Sequence, residues 1–157
     1  MNFEYTELNL AKIEALRSRF PKPQALTLPL LWLAQEQEGW LKPEVFEVVA
    51  ALTETAPMDV YRVATFYTML HLEPVGIHHI QVCKTLSCKL CGQGAILAAL
   101  KAKLGITAGE TTEDGRFSLT EVECLGSCAT APAMQINDTY YENLTPETLG
   151  AILEGLS

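Results

Sequence analysis

Five cysteines are the residues of this chain with the clearest chemical potential, and they fall into two groups. The first group is Cys83, Cys88 and Cys91, spaced C-x4-C-x2-C, and the second is Cys124 and Cys128, spaced C-x3-C. An odd number of cysteines without an export signal is a poor basis for a disulfide framework. Clustered cysteines in a reducing compartment are more often metal ligands or redox groups, so we expect thiolate chemistry here.

The arrangement of the thiols in pairs favours an iron–sulfur centre. Each iron of a [2Fe–2S] cluster takes two protein thiolates, so the cluster needs four cysteines. Cys83 and Cys88 can serve one iron, while Cys124 and Cys128 serve the other. We therefore predict these four residues as the ligands, a pairing that leaves Cys91 over.

Other interpretations of the cysteines stay open at this point. The segment from Cys88 to Cys91, near a helix start, is also typical of a thioredoxin-type thiol–disulfide oxidoreductase. Plant-type ferredoxins share the C-x4-C-x2-C spacing followed by a distant cysteine, and there Cys91 would be a ligand. A structural zinc site takes four cysteines as well, usually in C-x2-C knuckles, and a buried cysteine can simply be a packing residue.

Composition narrows the classes of function. The 157 residues carry a net charge of −8, which opposes binding to the phosphates of nucleic acid. Hydrophobic residues make up 48% of the chain, but no apolar run is long enough to span a membrane. The opening segment MNFEYTELNL has acidic residues where a secretory signal needs a basic start. We therefore expect a cytoplasmic protein without direct membrane insertion.

The elements that must position the cysteines change in type near Pro74. Before it, apolar residues recur at helical spacing between prolines and glycines, which predicts a four-helix bundle over residues 1–73. The helices are expected over residues 6–19, 27–38, 43 to about 54, and 59 to about 70.

Residues 74–157 are predicted to form a second domain of mixed type, so the fold class is α+β or α/β. GIHHIQVC and FSLTEVEC indicate strands that end at Cys83 and Cys124, and a helix is expected between them over residues 89–104. A hairpin with Asn137 and Asp138 at its turn and a last helix from Thr145 complete the order β-α-β-β-α. Each cysteine group follows a strand, and neighbouring strands would bring the two loops together.

The motifs VATFYTML, PVGIHHIQVC, DGRFSLTEVECLGSC and LTPETL resemble those of one known family. It is the small [2Fe–2S] subunit of the NADH dehydrogenase module of NADH:quinone oxidoreductase, which is respiratory complex I. The similarity covers nearly the whole chain and is densest from Val63 to Leu149. Related proteins serve as the diaphorase part of NAD-reducing hydrogenases and NAD-linked formate dehydrogenases, and these remain the alternative.

The resemblance implies a thioredoxin-like C-terminal domain and the same four ligands, Cys83, Cys88, Cys124 and Cys128. It also implies a partner flavoprotein that binds FMN and NADH, so this chain would be an electron carrier with no NADH site of its own. The assembled enzyme would place it in the peripheral arm, on the cytoplasmic side of the inner membrane.

Two further expectations concern the surroundings of the cluster. An apolar shell is expected from six residues, namely Leu86, Leu125, Ala129, Ala131, Pro132 and Met134. The helix that begins near Cys88 is expected to point its positive end at the sulfurs. The helical bundle is expected to supply a docking surface, with Phe66, Tyr67, Tyr140 and Tyr141 as candidate contacts.

Overall fold

The N-terminal part of the chain is helical because its apolar residues follow a helical period and proline opens several of its elements. The computed structural model describes residues 3–156. The first two residues of the expected domain 1–73 and the last residue of the expected domain 74–157 therefore lie outside the described residues. Four α-helices occur in the described part of this region: α1 (Glu7–Arg17), α2 (Thr27–Glu38), α3 (Pro43–Thr53) and α4 (Pro57–Phe66). A 3-10 turn, Pro23–Leu26, precedes α2.

Local chemistry explains where these helices begin and end. The Thr6 side chain accepts a hydrogen bond from the Asn9 N–H and caps α1. Gly39 adopts a left-handed conformation, with φ of 81°, and ends α2. The fourth helix ends at Phe66 rather than near residue 70 as predicted, because Tyr67 turns to an extended conformation.

The helical region has its own hydrophobic core. Leu30 and Leu31 of α2, Val45 and Val49 of α3, and Val60 of α4 are all completely buried. These residues belong to one contiguous cluster, so the predicted four-helix arrangement of the first part of the chain is confirmed.

The second part of the chain is built around a five-stranded sheet. Its strands are β1 (His78–Cys83), β2 (Glu110–Thr111), β3 (Phe117–Val122), β4 (Met134–Ile136) and β5 (Thr139–Tyr141), in the spatial order β2-β3-β1-β4-β5. Strand β1 is parallel to β3 and antiparallel to β4, and β4 and β5 form the predicted hairpin with Asn137 at φ of 51°. The short strand β2 was not predicted.

Helices cover this sheet and fill its core. They are α5 (Leu86–Leu90), α6 (Gln93–Leu104) and α7 (Pro146–Glu154). Ile96 and Leu100 of α6 and Leu149 of α7 pack with Ile80 and Val82 of β1 in one buried cluster. The mixed α and β architecture with the predicted order of major elements is thus confirmed.

The helix predicted over residues 89–104 is wrong in one respect, because two helices occupy this region. Gly92 has φ of 105°, a left-handed conformation that separates α5 from α6. The Cys91 N–H donates to the carbonyl of Ser87 and closes α5 before that turn.

Contacts along the chain define two compact units, Met1–Pro74 and Val75–Ser157. Among the helices of residues 3–156, none combines the length and apolar character that crossing a bilayer requires.

Candidate functional site

The parallel pairing of β1 and β3 brings the two cysteine loops to the same edge of the sheet. Cys83 is the last residue of β1 and lies opposite Val122, the last residue of β3. Cys124 follows Val122 by two residues, and Cys88 follows Cys83 by way of the short helix α5. Parallel strands end at the same edge, so both loops begin side by side.

Short contacts organise the sulfur atoms within each loop. The Cys124 and Cys128 Sγ atoms are 3.8 Å apart. The Gly126 N–H donates to Cys124 Sγ over 3.3 Å, and Gly126 can turn towards the sulfur because its φ is 85°. In the other loop, Cys83 Sγ lies 3.2 Å from the hydroxyl oxygen of Thr85.

The two pairs of thiols differ in burial. Cys83 and Cys88 are each only 2% exposed and form a small apolar cluster with Ala133. Cys124 and Cys128 are exposed, as is Cys91. The site therefore has one buried side and one side that faces outward.

Burial and hydrogen bonding act in opposite directions on the buried pair. Burial opposes ionisation of Cys83, but the hydroxyl and N–H of Thr85 and the N–H of Leu125 outweigh it and lower the Cys83 pKa. Burial raises the pKa of Cys88 and outweighs the Ala133 backbone hydrogen bond, while nearby Cys83 and Cys128 raise it further. The thiolate of Cys83 thus forms more readily than the thiolate of Cys88.

The exposed loop stabilises a thiolate mainly through its backbone. The Gly126 N–H is the largest influence that lowers the pKa of Cys124, followed by the Cys128 thiol and the Thr85 hydroxyl. Thr85 therefore acts on sulfurs of both loops, since it also contacts Cys83. Sequence reasoning missed this residue, although a hydroxyl placed between two predicted ligands was a signal for it.

Further contacts tie the two loops to each other and to β4. Lys84 Nζ and Glu123 Oε1 form an ion pair of 3.0 Å between the residue after Cys83 and the residue before Cys124. Both side chains are largely exposed, so this pair contributes little energy. The Cys83 N–H donates to the Ala133 carbonyl over 3.2 Å, just beyond the cis peptide bond that precedes Pro132.

The expected apolar shell is only partly present. Leu125 and Ala131 pack against the cluster of Cys83, Cys88 and Ala133. Pro132 and Met134 are buried as well, but Met134 belongs to the main core of the sheet. Two other shell predictions are wrong: the Leu86 side chain is 74% exposed, and Ala129 is exposed. Leu86 lies on the outer side of α5, a helix too short for its burial pattern to be read from sequence.

The helix that begins near Cys88 is the short helix α5, which starts at Leu86 with Thr85 as its N-cap. The N–H of Thr85, at this helix terminus, donates to the sulfur of Cys83, and the N–H groups of Leu125 and Gly126 act on the cysteine sulfurs from the other loop. The longer helix α6 begins only at Gln93, five residues after Cys88.

The donor set of two thiols in each loop fits a [2Fe–2S] cluster, which needs two thiolates at each iron. Within residues 3–156, no group of three or more histidine, cysteine, aspartate or glutamate side chains is arranged to hold one metal ion. Two sulfurs bound at ~2.3 Å to a tetrahedral ion are roughly 3.8 Å apart, the separation found between Cys124 and Cys128.

Comparison with known sequences gives consistent matches over nearly the whole chain. The profile of the thioredoxin-like [2Fe-2S] ferredoxin family matches residues 13–157. The E subunit of NADH-quinone oxidoreductase from Rickettsia bellii is 49% identical over 99% of this chain and 95% of its own length. Mitochondrial NADH dehydrogenase [ubiquinone] flavoprotein 2 of Dictyostelium discoideum is 47% identical over 91% of this chain and 59% of its own length.

Solved structures share the fold. A chain of an NAD+-reducing [NiFe]-hydrogenase in the air-oxidised state superimposes with a TM-score of 0.74 and 22% identity. The match covers 83% of this chain and 22% of the hydrogenase chain. At this identity the similarity establishes the architecture of the chain only.

Proposed function

The chain belongs to the thioredoxin-like [2Fe-2S] ferredoxin family, and from this premise we propose that it is the small electron-transfer subunit of an NADH:quinone oxidoreductase. As a family member it carries a [2Fe–2S] cluster. The names of its relatives, at 45–49% identity over nearly the full chain, support this assignment. The chain contributes to an oxidoreductase as one of its subunits.

The four proposed ligands are Cys83, Cys88, Cys124 and Cys128. The observation that carries this proposal is the register of the parallel strands, in which Cys83 lies opposite Val122. That register places the C-x4-C loop beside the C-x3-C loop, and Cys128 is close enough to Cys88 to raise the Cys88 pKa. Cys91 is exposed at the end of α5 and is proposed as a bystander.

When bound, such a cluster accepts and releases one electron at a time. The residues of this chain hold it and set its surroundings. Cys83 and Cys88 would anchor it on the buried side, where Ala133 excludes solvent. Thr85 and the Gly126 N–H stabilise negative charge on the sulfurs, which compensates for placing electrons in a chain of net charge −8.

The partner we propose is the flavoprotein that binds FMN and NADH. A flavin receives two electrons from NADH as a hydride, and a neighbouring one-electron centre can take one of them. We propose that the assembled protein lies in the peripheral arm, on the cytoplasmic side of the membrane. We also propose that the chain comprises two domains, residues 1–73 and 74–157, a division supported by the two compact units.

A second candidate is the diaphorase component of an NAD-reducing hydrogenase or formate dehydrogenase. The structural similarity to the NAD+-reducing [NiFe]-hydrogenase chain supports it at the level of fold. The sequence relatives favour the quinone-linked enzyme, because their identity to this chain is about twice as high.

The experiment is capture of the tagged chain from its native cells. The proposal predicts a brown preparation with equal iron and acid-labile sulfide, an FMN-containing partner, and NADH oxidation that the chain expressed alone does not show. Recovery of hydrogenase or formate dehydrogenase subunits instead would favour the second candidate. A colourless chain that holds zinc, or one that reduces disulfides without metal, would contradict both.

A further inference from the structure

Thr85 occupies the N-cap position of helix α5 but does not use its side chain as a cap. Its backbone is extended, with φ of −80° and ψ of 172°, as is usual for an N-cap. Within residues 3–156, however, no N–H of the first turn of α5 donates to the Thr85 side chain. The threonines that precede α1 and α7, Thr6 and Thr145, both accept such a bond. The Thr85 hydroxyl is therefore available for another contact.

The Thr85 hydroxyl is directed at the cysteine sulfurs. Its oxygen lies 3.2 Å from Cys83 Sγ, and it also interacts with Cys124 in the other loop, whose pKa it lowers. A cysteine that binds iron has lost its proton, so in the cluster-loaded chain the hydroxyl must be the donor to Cys83. A hydroxyl has only one proton to donate, and the direct contact makes Cys83 its principal acceptor.

The two cysteine loops share a backbone arrangement and differ in the side chain at one matched position. In each loop, the N–H two residues after the first cysteine donates to the sulfur of that cysteine: Thr85 to Cys83, and Gly126 to Cys124. Gly126 has no side chain, so this position supplies only an N–H in the second loop. Thr85 adds an O–H that reaches the same sulfur as its N–H. This hydroxyl can be removed by substitution without removing the backbone donor.

We propose that the Thr85 hydroxyl raises the midpoint potential of the cluster by donating a hydrogen bond to the Cys83 sulfur. This inference rests on the proposed ligands and deepens the proposed function. Reduction adds one electron and breaks no bond, and the hydroxyl keeps its proton throughout. Part of the added negative charge resides on the ligand sulfurs, so a donor to Cys83 Sγ stabilises the reduced form more than the oxidised form.

The burial of Cys83 makes this hydrogen bond effective. Cys83 packs with Cys88 and Ala133 in a small apolar cluster and is almost completely buried, so water competes poorly for its sulfur. A hydrogen bond is electrostatically stronger where water is excluded. Cys124 is exposed, and water can replace a hydroxyl donor there. We therefore expect Thr85 to act on the potential mainly through Cys83.

The test is an EPR-monitored redox titration of the cluster-loaded chain and of two variants at position 85. Thr85→Val keeps the β-branched shape and loses the hydroxyl. Its equilibrium constant for reduction should fall about tenfold, which lowers the midpoint by about 59 mV. Thr85→Ser keeps the hydroxyl and should stay within about 2-fold of the unmodified chain. An unchanged midpoint in Thr85→Val with its cluster intact would overturn the proposal and leave the proposed function standing.

A matched control separates an effect on the potential from an effect on helix capping. Thr145 caps α7, since its hydroxyl oxygen accepts the Thr148 N–H over 3.2 Å. Thr145→Val should lower the temperature of thermal unfolding and leave the equilibrium constant for reduction within about 2-fold. Thr85→Val should show the opposite pattern, because α5 loses no side-chain cap. Easier unfolding of Thr85→Val at an unchanged midpoint would reveal a structural role and contradict the proposal.

A further variant covers the case in which valine disturbs the loop. Thr85→Ala is smaller, also lacks the hydroxyl, and should show the same tenfold change. If Thr85→Val and Thr85→Ala both lose their iron, the hydroxyl is needed for cluster assembly rather than for its potential, and the proposal is overturned. If the unmodified chain itself holds no cluster, the proposed function fails and this inference falls with it.

Discussion

Gln93 Nε2 donates a hydrogen bond of 2.7 Å to Glu121 Oε1, which joins the first residue of α6 to strand β3. Gln93 is completely buried, and in the described part of the chain its Oε1 atom has no hydrogen-bond partner. Glu121 precedes Cys124 by three residues, and Gln93 follows Cys88 by five. The bond therefore links the segments that carry the two cysteine pairs.

This relationship predicts an asymmetry between two substitutions. Glu121→Ala removes the acceptor of Nε2 and leaves a buried amide with no partner, so the free energy of unfolding should fall by about 1–3 kcal/mol. Gln93→Met removes the same bond but also removes the buried amide, so its cost should be less than about 1 kcal/mol. Urea unfolding of both variants checks this. A greater loss in Gln93→Met than in Glu121→Ala would contradict the explanation.

Replacing Gly76 by alanine is expected to cause a steric clash that the same replacement at Gly94 does not cause. A Cβ atom at this position would lie 2.8 Å from the carbonyl carbon of Phe117, a backbone atom that cannot move aside. Gly76→Ala should therefore lower the free energy of unfolding by about 1–3 kcal/mol. At Gly94, in α6, a Cβ would have no atom within 4 Å, so Gly94→Ala should be neutral or stabilising by up to about 1 kcal/mol. Thermal unfolding that ranks the two variants in the opposite order would refute this.

Tyr5 predicts a change of stability in alkaline solution. Its hydroxyl donates to the Leu30 carbonyl over 2.7 Å, and burial raises its pKa well above the usual range. In the unfolded chain the Tyr5 hydroxyl ionises at a lower pH, near pH 10, than in the folded protein. The protonated hydroxyl therefore stabilises the folded state below pH 10, and this contribution is lost as the pH rises further.

Tyr5→Phe should therefore cost about 1 kcal/mol at pH 7, and this deficit should have disappeared by about pH 11. Denaturant titrations of both proteins at each pH measure the difference directly. A deficit that stays the same from pH 7 to pH 11 would show that the hydroxyl ionises equally easily in both states.

Replacing Gly126 is expected to change the redox potential of the cluster more than the folding of the chain. Its left-handed backbone aims an N–H at Cys124 Sγ, and a Cβ atom added at this position would have no neighbour within 4 Å. Gly126→Ala strains that backbone by about 1 kcal/mol. Relaxation of the strained backbone would weaken the hydrogen bond from this N–H to Cys124 Sγ. Because that bond stabilises negative charge on the sulfur, its loss would lower the midpoint potential of the cluster by on the order of tens of millivolts. An EPR-monitored redox titration with an unchanged midpoint would count against this role of the loop.

Much of the site could be predicted from sequence because the relevant signals are local. The β-branched run ending at Cys83 and the alternating run before Cys124 each mark a strand, and both strands form. The left-handed turn at Asn137 likewise follows from the preference of asparagine for hairpin turns.

The rest depended on information that short segments do not contain. The apolar run after Cys91 is compatible with one helix, and only the observed conformation of Gly92 shows the break between α5 and α6. The exposure of Leu86 depends on how a five-residue helix is seated on its loop, which no periodicity records. Gln93 and Glu121 are 28 positions apart, so their contact follows from the tertiary fold.

The most direct test of the central claim uses two variants in which one cysteine is replaced by alanine. The iron content, the acid-labile sulfide content and the EPR spectrum of the reduced protein are measured for each. Cys91→Ala should keep two irons and two sulfides per chain and an unchanged spectrum, whereas Cys88→Ala should lose the cluster. Loss of the cluster in Cys91→Ala together with its retention in Cys88→Ala would contradict the account and assign the ligands to a plant-type set.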